Sequence, residues 1–334
     1  MSKTVAVIVT YNRIALLKIC IEALRAQTLP LNKILVINNG STDATEKWLS
    51  AQPDIEYITQ KNLGGAGGFN TAIKTAFIKG YEWIWCMDDD GAPKNDALEN
   101  LMKADTGELR LLNCAVINKE DKKSFVWKTG NFKTLDEVDT NILEGVGHPF
   151  NGTLINRRIV ERVGVPKAEF FLWGDESEYL HRIISKNKIP VATVTNSIHY
   201  HPASAFTYKN DWDLKSNWKM YFYVRNRFHI HKTKFNNKLV ALLHYTCFLA
   251  AMAGIVMVYQ KTDKIKKLNF IFWPATDAFS NNFTQTPQTI LTRLSSSPME
   301  YYKTAYNNYI KYTRQAISAL FALPRPTERT AGIL

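Results

Sequence analysis

The feature that most limits the fold of this chain is an alternation in its first quarter. Short apolar runs, each closed by a polar turn, are separated by stretches with helical periodicity. Residues 4–9 (TVAVIV) form a continuous β-branched run, as expected of a strand covered on both faces. A helical stretch with Leu16, Leu17, Ile19 and Leu24 follows, then a second run at 33–37 (KILVI) ending in Asn38-Asn39-Gly40-Ser41-Thr42-Asp43. A helix over about 44–51, a strand near 55–59, a helix that follows the glycine cluster 64–68 and runs to about 79, and a fourth strand at 82–87 (EWIWCM) complete the pattern. Such alternation predicts an α/β domain with a largely parallel sheet, whose right-handed crossovers gather the turns after the strands on one ligand-binding edge. The opening run is too short for a secretory signal, which predicts a chain that starts in the cytoplasm. Cys20, Cys86, Cys114 and Cys247 contain no CxxC pair, which argues against a zinc finger and suits a reducing compartment.

Charge divides the chain. Of 42 Lys+Arg and 30 Asp+Glu, residues 1–208 hold 24 and 24, leaving 18 and 6 in residues 209–334, so the formal +12 sits in the last third. Such a field suits an anionic membrane surface or a phosphorylated substrate; with no RNP-like motif and no single basic tract, nucleic acid is not an expected partner. Past 209 the pattern turns helical. Residues 239–259 (LVALLHYTCFLAAMAGIVMVY) are almost uncharged and are followed by Lys261, Lys264, Lys266 and Lys267. The expectation is that 239–259 associates peripherally with the cytoplasmic face of the inner membrane, its lysines on anionic headgroups, with a buried helix and a spanning helix as the alternatives. The domain expectation is an α/β domain over 1–208 and a basic, mainly helical region over 209–334.

Four motifs carry chemistry. Asp88-Asp89-Asp90 directly follows the fourth strand. Residues i and i+2 of extended backbone point the same way, so Asp88 and Asp90 can converge on one cation while Asp89 turns aside. Hard carboxylate oxygens suit Mn²⁺ or Mg²⁺, with phosphate oxygens completing the shell. The stretch 62–70 (NLGGAGGFN) opens a helix; it suits either close approach of a phosphate or sugar to the backbone or tight helix packing. Asn70 replaces the third glycine of a dinucleotide fingerprint, and no Gly-Lys-Ser/Thr follows for a P-loop. Residues 170–179 (FFLWGDESEY) lead an aromatic wall into three carboxylates before a helix expected over 179–186. Acids there complement a helix dipole, and a carboxylate beside an apolar wall is also raised toward use as a general base. His199 and His201 share a face, so either can ligate a metal.

In this order, TYNR, NNGSTD, the glycine cluster and DDD resemble a family-2 glycosyltransferase over about residues 1–208. NLGGAGGFN with DDDG and FLWGDESEY is most similar to bacterial galactofuranosyltransferases and next to rhamnosyltransferases. Residues 221–227 (YFYVRNR) resemble a segment that follows the catalytic domain in those enzymes. The resemblance implies a GT-A fold, a mostly parallel sheet flanked by helices, with a helical C-terminal subdomain.

Residue by residue, it implies that Thr10, Asn12 and Arg13 line the nucleotide pocket and that Asn39 and Asp43 hold the uracil and ribose. Asn38 stands where the family commonly has aspartate. Asn62, Gly64, Gly65, Gly67 and Gly68 would lie near the diphosphate and donor sugar, with Asp88 and Asp89 also facing the nucleotide sugar. Asp88, Asp90 and either His199 or His201 would hold Mn²⁺ or Mg²⁺. Glu176 would be the catalytic base, with Asp175 second, and Trp173 would wall the acceptor site. The implied reaction is inverting transfer of galactofuranose from UDP-galactofuranose to a lipid-linked surface polysaccharide at the inner-membrane face. A dTDP-rhamnose donor, or an inactive nucleotide-binding membrane scaffold, are the alternatives. A nicotinamide dehydrogenase lacks its glycine fingerprint here, and a haloacid-type phosphatase its DxT or DxV. The sequence carries no signal for oligomeric state.

Overall fold

The computed structural model describes residues 3–203, 210–296 and 307. In chain order the elements are β1 (Thr4–Thr10), α1 (Ile14–Arg25), β2 (Lys33–Asn38), α2 (Thr45–Ser50), β3 (Ile55–Thr59), α3 (Gly64–Ile78) and β4 (Trp83–Asp88). There follow β5 (Ala92–Pro93), α4 (Ala97–Lys103), β6 (Leu111–Asn118), β7 (Ser124–Thr129), β8 (Phe132–Thr134), β9 (Ile142–Glu144) and β10 (Thr153–Asn156). The last are α5 (Arg157–Val163), α6 (Asp175–His181), β11 (Val191–His201), α7 (Met220–Phe235), α8 (Lys238–Tyr259), α9 (Lys264–Phe279) and α10 (Pro287–Ser295). These residues form two compact units, one from the chain up to 203 with 229–245, the other from 210–228 with 246–296.

In the first unit the sheet order is β3-β2-β1-β4-β10-β6-β11-β5. β3, β2, β1 and β4 are parallel, as the sequence pattern predicts. Beyond β4 the sheet is mixed: β10 runs antiparallel to β4 and β6, while β11 is parallel to β6 and antiparallel to β5 and β9. Only β7 and β8 there are joined by a tight return; β10 enters between β4 and β6 after long intervening chain and runs against both. Both faces of the sheet are covered, which explains the unbroken apolar runs. Ala6 and Ile8 of β1, with Trp83, Trp85 and Met87 of β4, pack against Leu17, Cys20 and Ile21 of α1 and Leu98 and Leu101 of α4. Val5, Val7 and Val9, with Ile84 and Cys86, face Phe69, Ala72, Ile73 and Ala76 of α3 and Tyr179 of α6. The helix expected over 179–186 starts earlier, at Asp175, and its last part, Arg182–Lys186, widens into a π turn.

In the second unit, buried Tyr221 donates its hydroxyl to Asp277 Oδ2 at 2.5 Å. Lys267 Nζ, also buried, pairs with Asp211 Oδ1 at 2.7 Å. Arg225, within the 221–227 segment, stacks its guanidinium over Tyr221, Phe222 and Phe283. α8 is long and apolar enough to cross a membrane. Only one stripe of it, Ala241, Tyr245, Leu249, Met252 and Val256, is covered by other described residues; Leu239, Leu243, Met257 and Val258 are exposed.

Candidate active site

The ends of β1, β2 and β4 meet on one edge of the sheet, where their turns lock together. Asn12, held at φ +54°, accepts from the Thr42 amide at 2.7 Å and the Asp43 amide at 3.3 Å through Oδ1, and its own amide donates to Ser41 Oγ. Asp43 Oδ2 accepts from the Ile14 amide at 3.4 Å. The TYNR and NNGSTD turns are thus one structure. Asn38, buried at the end of β2, accepts from the Ser41 amide and donates to Thr59 Oγ1, so it shapes this turn from beneath. Asn39 donates to the Gly64 carbonyl at 2.9 Å and to Asn62 Oδ1 at 3.3 Å, and its oxygen accepts from Gln60 and the Leu63 amide. Its amide therefore holds the glycine segment in place.

The glycines are the first turn of α3 rather than a loop before it. Gly64 has φ +70°, and a Cβ there would meet the Phe171 carbonyl at 1.9 Å. Gly68 packs on β1, where a Cβ would fall 2.3 Å from Val9 Cγ1, and Gly67 is closed off by Leu63. Gly65 has nothing within 4 Å of a Cβ position. Of the five-residue cluster, then, Gly64, Gly67 and Gly68 serve close packing, and Gly65 alone of the four glycines leaves backbone open to a ligand.

β4 ends in the three aspartates, and the turn after them feeds β5, which pairs with the end of β11 through His199↔Pro93 and Tyr200↔Ala92. That pairing brings Asp90 to His201, with Oδ1 3.2 Å from Nε2. Asp88, Asp90 and His201 offer ligand atoms that all lie within 4.8 Å of one another. Asp89 turns the other way, accepting from Thr10 Oγ1 at 2.7 Å and pairing with Arg13 Nη1 at 3.1 Å; the same Nη1 lies 3.0 Å from Asp90 Oδ2. Burial, then the charges of Asp90 and Asp89, raise the Asp88 carboxyl to about 8. Burial also opposes ionisation of Asp90, but its hydrogen bond and charge contact with His201, and then Arg13, hold it below the ordinary carboxylate range.

His199 lies outside this cluster. It is fully buried, and a Cβ on Gly91 would sit 2.1 Å from its Nε2, so the glycine after the aspartates makes room for the ring. Burial drives its pKa down to about 3, which keeps it neutral. One aromatic neighbour of the site is not legible in the sequence. Trp127 of β7 lies 5.0 Å from the His201 ring and 5.5 Å from that of His148, and nothing in the local pattern of the 124–129 hairpin announces it.

Two carboxylates and an imidazole in reach of one another, one carboxylate costly to ionise where it stands, form a donor set compatible with a divalent cation. The start of α6 holds a second group of carboxylates. Phe171 and Trp173 hold positive φ (63° and 56°), as does Gly174, so the chain turns sharply into the helix and leaves Trp173 partly exposed. Asp175 is buried; burial, then Glu176 by charge and hydrogen bond, and Asp88 by charge, raise its carboxyl well above the usual range. The charge of Asp88 is the last of these causes, so the acid pair lies within electrostatic reach of the Asp88–Asp90–His201 cluster. Glu176 is half-buried, and both of its oxygens accept from the Gly174 amide, at 3.1 and 3.0 Å.

The chain is 31% identical to galactofuranosyltransferase GlfT1 of Mycolicibacterium smegmatis over 219 residues, covering 61% of this chain and 72% of that protein. It is 32% identical to GlfT1 of Mycobacterium tuberculosis over 218 residues, 61% of this chain and 71% of that one. Among solved structures, TarS of S. aureus superposes with a TM-score of 0.52 at 14% identity, over 95% of this chain and 55% of TarS, a likeness of fold alone. Residues 5–164 match glycosyl transferase family 2. That match covers β1 to β4 and the three aspartates but ends before α6 and β11, and with the identity to the GlfT1 proteins it shows that the chain belongs to glycosyl transferase family 2.

Proposed function

We propose that this glycosyltransferase moves galactofuranose from UDP-galactofuranose to a hydroxyl of a lipid-linked glycan, with inversion and with a divalent cation, at the cytoplasmic face of a membrane. In this reading residues 1–208 form the catalytic domain, and residues 209–334 hold it to the surface, the exposed side of α8 lying among headgroups. The observation that carries the reading is the Asp88–Asp90–His201 cluster within electrostatic reach of the Asp175–Glu176 pair. Identity to the GlfT1 proteins supports the donor sugar.

Asp88, Asp90 and His201 would hold Mn²⁺ or Mg²⁺, which when bound neutralises charge on the departing nucleoside diphosphate. Arg13, already paired with Asp89 and Asp90, adds a cation on the nucleotide side. Gly65 and the first amides of α3 approach the diphosphate. Glu176, half-buried and steadied by the Gly174 amide, takes the proton of the acceptor hydroxyl as its oxygen attacks the anomeric carbon from the face opposite the diphosphate. Burial and Glu176 push the Asp175 carboxyl well above its usual range, and the hydrogen bond between the two carboxyls holds Glu176 in register. One displacement inverts the carbon, and Trp173 stacks on the acceptor sugar.

The test is release of nucleoside diphosphate from UDP-galactofuranose, UDP-galactose, UDP-glucose and dTDP-rhamnose, each with Mn²⁺ and with chelator, in the presence of membrane lipid extract. Chelator-sensitive turnover of UDP-galactofuranose alone is expected. Turnover of dTDP-rhamnose instead overturns the donor, and UDP binding without turnover of any donor favours the scaffold alternative.

A further inference from the structure

In the sheet-bearing unit two imidazoles meet the indole of Trp127. The His201 ring lies 5.0 Å away between centroids and 47° between planes, and the His148 ring 5.5 Å and 37°. Both separations are those of ring–ring contacts. The strand that carries Trp127, β7, pairs with β6 through Phe125↔Ile117, and β6 pairs with β11 through Ile117↔Tyr200 and Asn118↔His201. Just past β6, the Lys119 amide donates to the His201 carbonyl at 3.0 Å. The hairpin therefore grows from the strand beside His201, and its tryptophan comes to rest against that ring.

His201 has two ring nitrogens to place. Nδ1 lies 2.7 Å from the Pro202 carbonyl, which can only accept, so this nitrogen carries the hydrogen and donates. Nε2, 3.2 Å from Asp90 Oδ1, is left as the nitrogen able to ligate. One hydrogen bond sets the tautomer but restrains the tilt of the ring only loosely, because the outer torsion of a histidine is broad. A packed aromatic neighbour restrains that tilt without occupying either nitrogen.

Trp127 is itself braced. The His148 ring hydrogen-bonds the backbone of Lys128, the residue after Trp127. The His148 carbonyl accepts from Asn113 Nδ2 at 3.0 Å and from Thr153 Oγ1 at 3.2 Å, and both donors belong to fully buried side chains of β6 and β10. One ring on the indole is thus tied to central strands of the sheet, and the other belongs to the cation cluster. Trp127 is also half-buried and less exposed than Trp173, so it has less face to offer a sugar.

We propose that Trp127 is a positioning residue of the cation site: by packing on His201 it holds Nε2 toward Asp88 and Asp90, and His148 holds Trp127. The assignment rests on the reading of Asp88, Asp90 and His201 as the site of a divalent cation. The experiment is Mn²⁺ titration of the full-length protein by electron paramagnetic resonance, with and without UDP, for the wild type, Trp127→Leu, Trp127→Phe, His148→Leu and His201→Gln. Thermal melts in chelator identify the variants that fold. Trp127→Leu should weaken Mn²⁺ binding about tenfold, as loss of an outer-shell partner does, while Trp127→Phe, which keeps a ring, should stay within about threefold of the wild type. His148→Leu, which removes the brace and leaves the indole, should fall between them and carries the same test where Trp127→Leu does not fold. Wild-type Mn²⁺ affinity in folded Trp127→Leu overturns the assignment, as does an equal loss in Trp127→Leu and Trp127→Phe. Unchanged Mn²⁺ affinity with a raised acceptor KM overturns it in favour of direct contact with substrate. Failure of the wild type to bind Mn²⁺, or equal binding by His201→Gln, overturns the cation site itself, so the two failures are told apart.

Discussion

Thr10 Oγ1 donates to Asp89 Oδ2 over 2.7 Å, tying the last residue of β1 to the middle aspartate after β4. The bond is buried, and it turns Asp89 away from its neighbours, which leaves Asp88 and Asp90 to face His201. Thr10→Val keeps the shape but removes the donor from a buried carboxylate. Stability should fall by about 1–3 kcal/mol, read as a lower thermal midpoint, while Thr10→Ser should restore most of it. An unchanged midpoint in Thr10→Val would remove Thr10 from the account of how the cluster is held.

The two histidines should separate cleanly. His201→Gln should weaken Mn²⁺ binding, followed by electron paramagnetic resonance titration, by more than the roughly 10–100-fold typical of losing an outer-shell partner. Asp88→Asn and Asp90→Asn should do the same. His199→Gln should keep the metal affinity and lose stability instead, because His199 is buried away from the cluster under Gly91. The reverse pattern would move the site to His199.

Asp175 and Glu176 should respond differently to neutral isosteres. Burial and Glu176 push the Asp175 carboxyl well above its usual range, which disfavours its anion, so Asp175→Asn should retain most of kcat. Glu176→Gln removes the proposed proton acceptor and should lower kcat by about 10²–10⁴-fold with little change in donor KM. Equal losses in both variants would mean that the pair acts as one unit.

The glycines of α3 divide by what their Cβ would meet. Gly64→Ala places a methyl against the Phe171 carbonyl at positive φ and should cost at least about 2 kcal/mol. Gly65→Ala meets nothing and should leave the thermal midpoint unchanged or slightly raised, since alanine is the better helix former. A raised donor KM in the well-folded Gly65→Ala protein would mark the diphosphate side of the site; an unchanged KM would limit the segment to packing.

Acid should destabilise the sheet-bearing unit through His148. Burial lowers its pKa from 6.5 to about 4, so below pH 6.5 the unfolded chain takes up a proton that the folded chain refuses. Its contribution is full above about pH 6.5 and is lost as pH falls toward 4, at a slope of up to roughly 1.4 kcal/mol per pH unit. His148→Gln should flatten the stability curve in that window, measured by urea denaturation at several pH values. An unaltered slope would show that His148 is not the group responsible.

Half of the fold and the acidic centre of the site can be read from local pattern. Unbroken β-branched runs at β1 and β2 announce strands covered on both faces, and three carboxylates at the end of β4 announce a cation site, because burial periodicity and like-charge repulsion act between near neighbours in sequence. The mixed half of the sheet is not legible in the same way. Strands as short as Ala92–Pro93 carry no periodicity, and their direction is set by the returns that connect them. Sequence spacing makes His199 and His201 equivalent; the pairing of β5 with β11 separates them by burying one and bringing the other to Asp90. It likewise leaves open whether the glycines contact a ligand or the protein itself, a choice made by where Val9, Leu63 and Phe171 come to rest. The sequence by itself determined the family, the parallel β1–β4 frame and the residue types at the catalytic edge. Tertiary structure decided which histidine joins the aspartates, which glycine stays open and that Trp127 touches both His148 and His201. These are distances between segments far apart in the chain, fixed by strand register and helix packing, and no local pattern encodes them.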